Sequence, residues 1–87
     1  MSNELDLRAR HDLEQIGTRI AALRGVKRMS QETLAERAGI STVELSLIES
    51  PGVYNVFSIE VFYNICSALE ISPSALLSGE ILLGEVK

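Results

Sequence analysis

Apolar residues recur along this chain at steps of three and four, the spacing of one face of an α-helix. Leu13, Ile16, Ile20 and Leu23 form one such series and predict a long amphipathic helix, beginning near Asn3 or further in and stopping near Gly25. Beyond it, one short pattern occurs four times: an apolar residue, a serine, and a second apolar residue four positions after the serine. The sets are Met29-Ser30 with Leu34, Ile40-Ser41 with Leu45, Phe57-Ser58 with Phe62, and Ile71-Ser72 with Leu76. Each reads as a hydroxyl N-cap flanked by a hydrophobic staple. Glu44 adds a capping box to Ser41, and Pro73 stands at a first helical position, where its missing N–H costs least. The pattern predicts an all-α chain of five helices around one core. Ile59, Phe62, Cys66 and Leu69 trace the expected buried face of the fourth helix, with Ile65 alongside.

Between the third and fourth helices, Ser50-Pro51-Gly52-Val53-Tyr54-Asn55-Val56 is the one clear loop, punctuated by Pro-Gly. Residues 78–87 form a tail, and its Ile81-Leu82-Leu83-Gly84-Glu85-Val86-Lys87 fits an extended last helix, a strand or a loose end. No repeat or low-complexity segment divides the chain, and 87 residues suit one domain spanning 1–87.

Composition narrows the chemistry. The chain is 46% hydrophobic, yet it has only two Phe, two Tyr and no Trp, which suits an aliphatic helical core. A single cysteine, Cys66, excludes an internal disulfide framework and a multi-cysteine zinc site, and fits a reducing compartment. His11 stands alone, without a partner at ligand spacing, and reads as a solvated side chain. No Ser–His–acid set, phosphate-cradling glycine loop or metal cluster is present, so neither an enzyme nor a cofactor protein is expected. No apolar run approaches the roughly 20 residues that span a bilayer. The acidic start Met1-Ser2-Asn3-Glu4-Leu5-Asp6 lacks the regions of a signal peptide, so a soluble, cytoplasmic protein is expected.

The stretch from Gln31 to Ser50 carries the most information. It reads as two short helices joined at Gly39, with small or apolar residues (Leu34, Ala35, Ala38, Ile40, Leu45, Ile48) where the helices must cross. Gly39 supplies the positive φ that an abrupt turn needs. This is the layout of a helix-turn-helix at helices 2 and 3, whose second helix can enter the DNA major groove. With Ile16-Gly17-Thr18-Arg19-Ile20 and Leu23-Arg24 before it, and Ala68-Leu69-Glu70-Ile71-Ser72 and Leu76-Leu77 after it, the chain resembles the phage repressor and Cro-like family, the XRE family, over about residues 16–77. The resemblance implies a five-helix repressor-like domain, a transcription regulator that binds double-stranded operator DNA as a homodimer.

The same resemblance places an ion pair at Arg24 and Glu49 and a phosphate contact at Gln31. Lys27 and Arg28 are expected to assist at the phosphates, with uncharged help from Tyr54, Asn55 and loop amides. The recognition helix would turn Ser41, Thr42, Val43, Ser46 and Leu47 toward the bases, with Glu44 beside them. None of these is an Arg, Lys, Asn or Gln able to make bidentate bonds to guanine or adenine. Apolar contact with thymine methyls, serine hydroxyls, DNA shape and half-site spacing would then supply the readout. Leu76, Leu77, Ile81, Leu82, Leu83 and Val86 exceed what one small core needs, and are expected to form a two-fold interface. The plain alternative is that they simply end the core.

Charge pulls the other way. The formal net charge is −4, whereas proteins that grip phosphates are usually basic. Seven of the eight basic residues (Arg8, Arg10, Arg19, Arg24, Lys27, Arg28, Arg37) precede residue 40, which softens the conflict. The competing expectation is a protein-interaction module on the same scaffold, an antirepressor or part of a larger regulatory complex, with Val43 and Leu47 facing a protein partner.

Overall fold

Five α-helices follow in order: α1 (Asn3–Val26), α2 (Gln31–Ala38), α3 (Thr42–Glu49), α4 (Ile59–Leu69) and α5 (Pro73–Ser78). The computed structural model describes residues 3–50 and 57–79, with side chains from residue 7 onward. Tyr54, Asn55, Ile81, Leu82, Leu83 and Val86 lie outside the described residues.

The helix starts form where the serines stand. Ser30, Ser41, Ser58 and Ser72 all adopt extended backbone, and each side chain accepts from the N–H three residues on. Substituting such a cap by alanine typically costs about 1 kcal/mol. The staple residues Met29, Ile40, Phe57 and Ile71 all pack against the core, and the Phe57 and Phe62 rings stack with centroids 6.4 Å apart. Of the capping box at α3, the forward half is present: Glu44 N–H donates to Ser41 Oγ at 3.0 Å. The return bond, from the Ser41 N–H to the Glu44 carboxylate, is not made among the described residues.

Gly79 (φ 80) closes α5, and three further helix ends also close through a residue in the left-handed region: Arg28 (φ 56), Gly39 (φ 76) and Glu70 (φ 58). In each of these three, the next residue's N–H reaches back to a carbonyl five positions earlier, from Met29 to Arg24, Ile40 to Ala35, and Ile71 to Cys66. Only one of the three is a glycine. At Arg28 and Glu70 the bonds of the turn and the burial of the following apolar residue offset the cost of a Cβ in this region, roughly 1–2 kcal/mol.

The core joins all five helices. Ile20 (α1), Leu34 (α2), Leu45 (α3), Ile65 and Leu69 (α4) and Leu76 (α5) are completely buried. α2 lies against both α4 and α3, while α1 runs across α3 and α5. Ile59 departs from the sequence expectation: it is 70% exposed rather than buried with Phe62. It is the first residue of α4, and a helical Cα–Cβ bond tilts toward the N-terminus, so the side chain projects past the helix start. Phe57 takes the core-facing place instead.

Candidate nucleic-acid interface

The α2–turn–α3 unit is held closely. Ala35 and Ala38 are buried without bulk, and Gly39 turns the chain with its N–H directed to the Ala35 and Glu36 carbonyls. A second support comes from α4, where the Asn64 side-chain amide donates to the Ala38 carbonyl at 3.2 Å. That bond satisfies an orphan carbonyl at the end of α2.

α3 buries Leu45, Ile48 and Glu49 and turns its other side out. Val43 is 70% exposed and Leu47 48% exposed. Ser41 and Ser46 are also exposed, and Thr42 and Glu44 are half-buried. The residues expected to face bases therefore share an accessible surface on one helix. It carries no basic side chain in its last turn and one acidic residue, Glu44, in its first.

The far end of α3 is locked by charge. Arg24 Nε donates to Glu49 Oε2 at 2.9 Å, and Arg24 Nη2 to Glu49 Oε1 at 3.0 Å, a bidentate pair with the Glu49 side chain only 5% exposed. Arg24 Nη1 also donates to the Met29 carbonyl at 2.9 Å. One guanidinium thus ties α1 to the chain entering α2 and to the last turn of α3. The hydrogen bonds that Arg24 donates to Glu49 raise its pKa above the ordinary value, despite opposing desolvation. The ion pair that the resemblance placed here is present.

Gln31 is in the same network. Its Nε2 donates to Glu49 Oε1 at 2.9 Å, so the side chain expected at a phosphate is tied to the end of α3. Lys27 and Arg28 are exposed in the turn before α2. Leu76 needs correcting as an interface residue: it is completely buried by the chain's own helices and not available to a second copy. Leu77 is 54% exposed beside Asp12, Gln15, Ile16 and Arg19 of α1.

Three features went unread in the sequence. A Cβ at Gly17 would overlap the Ile48 carbonyl oxygen, so the α1 backbone lies directly on the last turn of α3. A glycine inside a helical pattern costs about 1 kcal/mol against alanine, and that cost was the available signal. Arg19 Nη1 donates to the Leu76 and Leu77 carbonyls at 3.0 and 2.7 Å, capping α5 from α1. The Gln31–Glu49 bond had no sequence signal beyond two polar residues at helix ends.

The comparisons with known proteins agree with this geometry. Residues 17–81 match the model of a helix-turn-helix domain family. Among solved structures, the chain is similar to the restriction-modification controller protein C.AhdI from Aeromonas hydrophila, at 36% identity and a TM-score of 0.67, over 76% of this chain and 97% of that one. A comparison with curated proteins finds no match. With the paired α2 and α3, the Arg24–Glu49 lock and a family match across most of its length, the chain belongs to the Cro-like, XRE-type helix-turn-helix family of DNA-binding transcription regulators.

Proposed function

We propose that this protein is a cytoplasmic regulator that binds a near-palindromic operator as a homodimer, with α3 in the major groove. The observation that carries the reading is the outward face of α3. Val43, Ser46 and Leu47 are exposed on a helix whose opposite side is clamped to α1 and α2, with the N-cap Ser41 exposed at its start. Thr42, Val43 and Leu47 would pack on thymine methyls, and the serine hydroxyls would bond base edges directly or through water. Phosphates would be held by Gln31, Lys27 and Arg28, with Tyr54 and Asn55 completing the set. Likeness to a controller protein supports regulation of transcription, and the reading needs no catalysis, metal or cofactor.

For the dimer, exposed Leu77 would join Ile81, Leu82, Leu83 and Val86 in a two-fold contact. Recognition helices would then lie about 34 Å apart and demand matching half-sites. The chain is read as one domain, with residues 78–87 contributing the interface.

Titration against the DNA upstream of its own gene, at low and moderate salt, tests the reading. Saturable, sequence-dependent binding is expected. Thr42→Ala combined with Leu47→Ala should abolish the sequence dependence while circular dichroism stays unchanged. Full operator affinity in that double variant would refute the assignment of α3 to the bases. The exposed Val43–Leu47 pair and the absence of a basic side chain on α3 favour a second reading, a protein-binding surface on the same helix. Absence of duplex binding even at low salt would favour that reading instead.

A further inference from the structure

Glu49 is a buried anion at the C-terminal end of α3, where the helix dipole disfavours negative charge. Three donors compensate it: Arg24 Nε on Oε2, and Arg24 Nη2 with Gln31 Nε2 on Oε1. The Arg24 contacts suffice to neutralise the charge, and the Gln31 bond does something different. A carboxylate only accepts, so it decides which end of the Gln31 amide faces it. The nitrogen must point inward, and its second N–H is the one donor the side chain has left. A phosphate also only accepts, so any contact from the Gln31 side chain to DNA must pass through that N–H.

We propose that Glu49 is a positioning residue for DNA binding: it holds the Gln31 amide in a single orientation, so that one N–H at the first turn of α2 is preset for a phosphate. This rests on the reading of Gln31 as a phosphate contact. A free glutamine loses rotamer entropy when immobilised, and here that loss is taken on folding rather than on binding. Arg24 then has two roles. It neutralises Glu49, and through Glu49 it links the end of α1 to the phosphate contact. Besides Glu49, Arg24 feels the Glu32 carboxylate on α2.

Glu49→Gln removes one acceptor oxygen while keeping the shape. With the remaining oxygen on Arg24 Nε at the Oε2 position, an NH2 group stands where Oε1 accepted from Gln31, and the Gln31 N–H loses its inward acceptor. A double-variant cycle on duplex affinity, with Gln31→Ala, Glu49→Gln and both together, separates positioning from simple support of the fold. It is run at a temperature where circular dichroism shows all four proteins folded. Glu49→Gln should weaken binding roughly threefold to tenfold when Gln31 is present, and less than twofold when it is absent. An equal loss in both backgrounds would mean that Glu49 acts on α3 alone, and would overturn the proposal, as would no loss in either. In the free protein, NMR of the Gln31 side-chain amide should show one proton shifted and protected, and this signature should vanish in Glu49→Gln. An averaged Gln31 amide in the unaltered protein would overturn the proposal while leaving the regulator reading intact. If the unaltered protein bound no duplex, the regulator reading would fall, and with it the assigned role of the tether.

Discussion

Gly17→Ala sets two well-understood effects against each other. Within a helix, alanine is favoured over glycine by about 0.5–1 kcal/mol, so local propensity alone predicts a more stable protein. The tertiary structure predicts the reverse. The added methyl would overlap the Ile48 carbonyl oxygen and sit 3.1 Å from its carbon and 3.7 Å from the Glu49 Cα. All three atoms are backbone, so no side chain can rotate away, and α1 and α3 must separate. Overpacking of this kind costs about 1–3 kcal/mol, and the immobile neighbour places it near the upper end. After the propensity gain, a net loss of about 1.5–2 kcal/mol remains. For a domain of this size that lowers Tm by roughly 6–16 °C. The displaced turn carries Glu49, so the Arg24 and Gln31 bonds should loosen with it and DNA affinity should fall as well. Gly25→Ala is the internal control. It lies in the last turns of α1 with nothing near its Cβ position, so it should leave Tm unchanged or raise it. Thermal melting by circular dichroism distinguishes the cases, and a Gly17→Ala protein as stable as the parent would refute the close approach of α1 to α3.

Two further outcomes follow from burial and exposure. Cys66 is 2% exposed, and burial pushes its thiol pKa up. Because the folded pKa exceeds the unfolded one, stability is full below about pH 8.5 and declines as pH rises through the folded pKa. Thiol labelling at neutral pH should therefore track global unfolding, and rapid labelling of native protein would contradict the burial. Removing residues 80–87 after Gly79 should convert a dimer to a monomer in light scattering, and an unchanged solution mass would end the proposed role of the tail.

The chain is acidic yet belongs to a DNA-binding family, and the structure shows how the two coexist. Glu49 is buried and paired with Arg24, so that carboxylate adds no free negative charge to α3, while Glu60 stands in the first turn of α4 and Glu70 in the turn before α5. Lys27 and Arg28 are exposed just before Gln31. Few cations near the proposed contact mean a modest release of counterions, so affinity should fall only gently with salt.

The order, type and starts of the five helices were determined by local chemistry. A serine can cap a helix, and an apolar pair can staple it, through interactions within a few residues, so those signals survive in the bare sequence. The Gly39 turn is local for the same reason, since its positive φ is a property of one residue. The ends at Arg28 and Glu70 were less legible because neither is a glycine. Their left-handed backbone is sustained by bonds and burial around the turn, not by the residue's own preference. Ile59 was misplaced because periodicity assigns a face but not whether a neighbour covers the helix at that height. Only the tertiary structure decided that Gly17 lies against Ile48, that Arg19 caps α5, and that Leu76 is spent inside the core while Leu77 is not. It alone joined Gln31 to Glu49 across 18 residues of chain. Contacts of this kind depend on where two helices cross, and a crossing leaves no period in either strand of sequence.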